Sequence, residues 1–68
     1  MQQGERYQHF KGGEYTIVGV GVDSDTLEKV VIYESQYDTP DFPKGTWWVR
    51  PYDEFVGKKN DMPRFTKL

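Results

Sequence analysis

The stretch Tyr15-Thr16-Ile17-Val18-Gly19-Val20-Gly21-Val22 constrains this chain most. Its alternation at a period of two is the signature of an extended strand. Read as a regular strand, it puts Val18, Val20 and Val22 on one face and Tyr15, Ile17, Gly19 and Gly21 on the other. Glycine weakens a strand interior, so the Gly19/Gly21 pair predicts a bend, a bulge or another surface lying close against that face.

The remaining segments read as partners for this strand. Arg6 to Phe10 alternates as a strand and runs into Lys11-Gly12-Gly13-Glu14, where glycine supplies the positive φ of a tight hairpin turn. Asp23 to Leu27 is a connection rich in side chains that bond their own backbone. Glu28 to Ser35 returns as a strand, and its Val30-Val31-Ile32-Tyr33 run, apolar on both faces, marks a central position. Gln36 to Lys44 is the longest irregular stretch, of the kind that serves as spacer or binding loop. Thr46 to Arg50 is the fourth strand. Pro51 ends it and opens a short helical turn with acids at Asp53 and Glu54, which Gly57 stops. A polar loop from Lys58 to Asp61 leads through Met62-Pro63 to a last strand, Arg64 to Lys67.

Five short strands with one helical turn between the last two predict an all-β (mainly β) fold, a small SH3-like five-stranded barrel occupying residues 1–68 as a single domain. Closure suits a short chain because it limits exposed sheet edges. An oligonucleotide-binding-type barrel is the runner-up. A chain of 68 residues buries only about 60% of the surface its unfolded form exposes. It has no cysteine and one histidine, so neither a disulfide nor a structural zinc site is available, and no cofactor is implied. Eleven aromatic residues carry the load instead, each able to bury roughly 150–250 Å². The polar start lacks a secretory apolar stretch and no run suits a membrane span, which predicts a cytoplasmic protein with no membrane partner.

Charge is uneven. Residues 23–41 set Lys29 against six acids, whereas residues 42–68 set six cations against Asp53, Glu54 and Asp61. Recognition chemistry is densest at Trp47-Trp48-Val49-Arg50. Alternation allows only one indole to point inward with Val49, which leaves the other beside Arg50 on the outer face as a stacking surface with a cation. If both indoles instead pack under the 36–44 loop, Arg50 is left to pair with Asp53 or Glu54. His9 shares a strand face with Tyr7 and Lys11, and Arg64-Phe65 repeats the pairing of cation and ring. The last strand should close next to the first, which brings His9, Lys11, Arg50 and Arg64 to one rim. No nucleophile elbow, metal-ligand cluster or phosphate loop accompanies them.

The chain also resembles a domain of unknown function from bacteria and their phages. The residues that carry the likeness are Tyr7, His9-Phe10-Lys11-Gly12, Tyr15, Ser24-Asp25-Thr26, Val31 with Tyr33, Trp48-Val49-Arg50-Pro51, Phe55 and Arg64-Phe65. That family's pattern runs Tyr-x-His-Phe-Lys-Gly, a Ser-Glu-Thr turn, Val-x-Tyr, Trp-Val-Arg-Pro and Arg-Phe. Asp25 departs from its glutamate, and Asp38 to Lys44 is longer than the family's segment. The resemblance singles out Trp48 as the matching indole and implies no activity.

Together these readings predict a non-enzymatic binding module. Its aromatic and basic face, composed of Tyr7, His9, Lys11, Tyr33, Trp48, Arg50, Arg64 and Phe65, would engage an anionic or planar ligand such as nucleic acid or a nucleotide. The alternative is a protein-interaction or assembly domain using the 36–44 loop and an exposed edge. An enzyme working through His9 with a carboxylate partner is the third reading.

Overall fold

The long strand finds a partner on each side. In the computed structural model, which describes residues 1–68, the elements run β1 (Arg6–His9), β2 (Glu14–Val22), β3 (Lys29–Ser35), β4 (Trp47–Pro51), α1 (Tyr52–Phe55), β5 (Lys58–Lys59), β6 (Met62–Pro63) and β7 (Phe65–Lys67). Five of the strands form one antiparallel sheet in the order β4-β3-β2-β1-β7, and β5 pairs with β6 alone. The fold is mainly β with one short helix. The last strand returns beside the first, with Tyr7 opposite Lys67 and His9 opposite Phe65, and β3 lies in the interior of the sheet.

The barrel does not close. β4 and β7 are the two edges and share no ladder. The sheet curls until these edges face each other through side chains, with the Arg50 guanidinium of β4 5.7 Å from the ring centre of Phe65 on β7. Helix α1 occupies this gap and drops Phe55 into it, where the ring stacks on Phe65 at 4.0 Å with 9° between planes. The core is the cluster of Ile17, Val31, Tyr33, Phe55 and Phe65, with Tyr7, Tyr15, Trp48 and Tyr52 packed against it. Aromatic rings meeting edge to face fill most of this volume, as a short chain without a disulfide requires.

The register of β2 against β3 shifts between Ile17 and Gly19, so Val18 is the extra residue of a bulge. This overturns the simple alternation. Ile17 opposes Tyr33 and Val20 opposes Val31, which puts Tyr15, Ile17 and Val20 on the core side. Gly19 and Gly21 turn to the outer face, where Gly19 has nothing above it.

Local chemistry sets the remaining boundaries. Gly12 has φ +105° in the β1–β2 turn, which His9 and Gly13 close through the His9 amide on the Gly13 carbonyl at 2.7 Å. Asp23 Oδ1 accepts the amides of Asp25 (2.8 Å) and Thr26 (3.2 Å), organising the β2–β3 connection. Pro51 is the last residue of β4 rather than the first of the helix; on an edge strand its missing donor leaves no gap in the sheet. The expected polar loop contains a small hairpin, because Asn60 (φ 53°) and Asp61 (φ 65°) both adopt the left-handed conformation of a two-residue turn between β5 and β6. No helix is long and apolar enough to cross a membrane.

Candidate functional site

A concave site of about 520 Å³ lies where the β1–β2 hairpin meets the start of the β3–β4 loop and the inner side of β4. His9, Lys11, Tyr33, Arg50 and Phe65 line it, as do Gly12, Gly13, Tyr15 and Tyr37. Five of the eight residues expected on the aromatic and basic face therefore converge. Tyr7, Trp48 and Arg64 do not line the site.

Alternation along β4 decides the fate of the two indoles, and it does so opposite to the expected sense. Trp47 and Val49 point outward, 62% and 64% exposed, and the Trp47 indole donates to Glu34 Oε2 at 3.1 Å. Trp48 and Arg50 point inward. Val49 is not a core residue, and the indole beside Arg50 is the partly buried one. The ring of Phe42 from the β3–β4 loop meets Trp48 edge to face at 4.9 Å and covers it. Trp48 Nε1 is buried there without a partner. Tyr7 packs against Phe55 at 5.3 Å, and Arg64 donates from Nε to the carbonyl of Glu54 at 3.1 Å, so both serve to fasten α1 beneath the sheet.

Arg50 pairs with neither Asp53 nor Glu54. Its Nε donates to the Tyr33 hydroxyl at 3.3 Å and its plane lies near Phe65, which holds the side chain in place and leaves both terminal nitrogens without a protein partner. Lys11 likewise makes no ion pair. The amide of Lys11 donates to His9 Nδ1 at 3.2 Å, so the neutral ring carries its proton on Nε2. Burial first, then the positive charges of Arg50, Lys11 and Arg64, lower the pKa of His9 below its ordinary value. Of the four groups expected on one rim, His9, Lys11 and Arg50 line the cavity and Arg64 stands outside it. No carboxylate lines the site, so His9 has no acidic partner in it.

The opposite wall comes from residues outside the expected face. The Tyr15 and Tyr37 hydroxyls share a short hydrogen bond, and their rings meet edge to face at 5.6 Å. Burial, then the bond to Tyr37, raises the pKa of Tyr15. Gly13 makes this wall possible: a Cβ there would sit 2.6 Å from the Tyr37 ring. The sequence signal was the second glycine of the turn. One positive φ satisfies the hairpin, and Gly13 is kept free of a side chain for space. The β3–β4 loop that carries Tyr37 is fastened by Lys44 N to Asp38 Oδ1 (2.7 Å), Phe42 N to Thr39 Oγ1 (3.0 Å) and Gly45 N to the Ser35 carbonyl (2.9 Å).

A family model described as a protein of unknown function, DUF1653, matches residues 5–67. The chain belongs to this family. No curated protein and no solved structure matches it. The match spans every residue of the site, so the cavity of this DUF1653 domain lies wholly within the family's own extent. Chemically the DUF1653 site offers donors and cations against a background of rings: two free cationic groups, an imidazole N–H and three phenols, with no acidic group to repel an anion.

Proposed function

We propose that this DUF1653 domain is a non-enzymatic binding module whose cavity takes an anionic, ring-bearing ligand of the nucleic-acid or nucleotide class. The observation that carries the reading is the pairing of Arg50 and Lys11, both free of carboxylates, with the rings of Tyr15, Tyr37 and His9 in one concave site. Cations with aromatic faces are the combination that binds phosphates and stacks bases. The meander order with a helical turn before the last strand supports an SH3-like class, as a half-open variant. The cysteine-free chain suits a reducing, cytoplasmic setting.

The test is a proton–nitrogen NMR titration of the labelled protein with short single-stranded RNA and DNA and with nucleotides, at low and moderate salt. Amides of Lys11, Gly12, Gly13 and Arg50 should shift together, lose the shift as salt rises, and stay still in Arg50→Ala. A folded protein whose cavity amides ignore all of these ligands sinks the reading.

The outer face favours a second reading. Trp47 and Val49 are exposed on β4, an unpaired edge strand, on the side where Gly19 leaves the sheet bare. Exposed apolar surface at a free edge is the pattern of an assembly or protein-interaction domain. A size measurement across concentration checks it: a molecular mass that stays monomeric at every concentration removes self-association.

A further inference from the structure

The cavity walls say which form of anion fits. They carry two full positive charges, Lys11 and Arg50, and neither is neutralised within the protein. Because Tyr33 occupies Nε of Arg50, the two terminal nitrogens remain as a fork for two oxygens of one group. His9 adds a neutral N–H donor. Three donor groups lining one cavity match a phosphate monoester, which carries about −1.5 to −2 charge at neutral pH and three strong acceptor oxygens. An interior phosphodiester has one charge and two such oxygens, so it leaves part of this donor set unanswered.

The surroundings oppose a polymer. The cavity has no further cation beyond these two and the imidazole, whereas strand-binding grooves track the backbone over roughly 4–16 nucleotides with cations along their length. The wall that carries Tyr37 continues into Asp38 and Asp41, within a segment that sets Lys29 against six acids. A strand leaving the cavity past that wall meets like charge. The volume of about 520 Å³ is that of a small-molecule pocket. Tyr15 and Tyr37 at one side of the site supply the rings against which a base stacks.

We infer that the cavity formed by the β1–β2 hairpin, Tyr37 and Arg50 is a receptor for a single phosphate monoester bearing a planar base, a nucleoside monophosphate, and not for the interior of a nucleic-acid strand. This rests on the binding-module reading above and narrows it to one ligand form.

Calorimetry on the full chain tests it with adenosine monophosphate, adenosine, ribose 5-phosphate and an octanucleotide without terminal phosphates, each repeated at higher salt. The nucleotide should bind with one-to-one stoichiometry, with adenosine and ribose 5-phosphate each weaker by at least about tenfold. Lys11→Ala, at an exposed turn position, should weaken the nucleotide about five- to tenfold with an unchanged melting temperature. Arg50→Lys should weaken it as well, because the fork is lost while the charge stays. If the octanucleotide binds more tightly than the nucleotide and releases several counterions, the binding-module reading stands and the monoester inference is overturned. If ribose 5-phosphate binds as well as the nucleotide, the base is not recognised and the inference is overturned in that part. If none of the ligands binds to the folded protein, both readings fall together.

Discussion

Gly13 has no side chain because the Tyr37 ring occupies the place one would take. Gly13→Ala should push Tyr37 away, break its bond to the Tyr15 hydroxyl and open that wall of the cavity. The phenol of Tyr15 should then ionise at lower pH than in the parent, since both the burial and the hydrogen bond that raise it are relaxed. Ultraviolet tyrosine titration reads this directly, and an unchanged titration curve would show that the ring adjusts without leaving. His9 makes a prediction of opposite sign. Its folded pKa lies below the unfolded value, so the unfolded chain binds more protons in the interval between them. Stability contributed by the neutral ring is present above the unfolded value, about 6.5, and is lost as pH falls through the folded one. Melting temperature should decline on acidification through this window, and His9→Gln should flatten the decline. Adding an anion that occupies the cavity should move the histidine proton resonances toward the charged form at a given pH.

At the level of elements, β4 shows what a sequence reveals and what it withholds. The alternation of Trp47 and Val49 against Trp48 and Arg50 was legible from the residue order, as were the Gly12 turn, the central place of β3 and the return of the last strand to the first. Which side faces inward was not, because each face carries one indole and the remaining pair, Val49 against Arg50, favours the face that turns out to be exposed. The Phe42 ring decides it by covering Trp48, and that contact belongs to a loop with no periodicity to read. The bulge at Val18 was foreshadowed by glycine, yet its position, and with it the faces of Gly19 and Gly21, depends on cross-strand register that one strand does not contain. The β5–β6 hairpin escaped because two-residue strands carry no alternation; Asn60-Asp61 was its only sign. Tyr37 reached the cavity by loop packing and was invisible for the same reason as Phe42. These assignments predict unequal mutants. Trp47→Thr should alter unfolding free energy by no more than about 0.5 kcal/mol, whereas Trp48→Ala should cost about 3 kcal/mol. Denaturant melts of the two variants check this, and equal losses would contradict the inward placement of Trp48.

For the whole molecule, the four residues of α1 matter through one ring. Phe55, 1% exposed, fills the space between β4 and β7 that a ladder would occupy in a closed barrel. Removing such a ring costs about 3–5 kcal/mol, and a domain of this length has roughly 3–10 kcal/mol in total. Phe55→Ala should therefore melt far below the parent by circular dichroism, losing about a third or more of its stability, while Phe55→Leu should fold with a smaller loss. A cooperative, native-like melt for Phe55→Ala would show that the sheet curls without its plug. The pairing of β1 with β7 sets the tempo of assembly. Every other contact in the main sheet joins strands that follow one another, but Tyr7 meets Lys67 across almost the entire chain. Closing that loop costs about 2 kcal/mol more entropy than closing the first hairpin. The four-strand meander should therefore form early and await the arrival of β7, and a strain on that last strand should speed unfolding more than it slows folding.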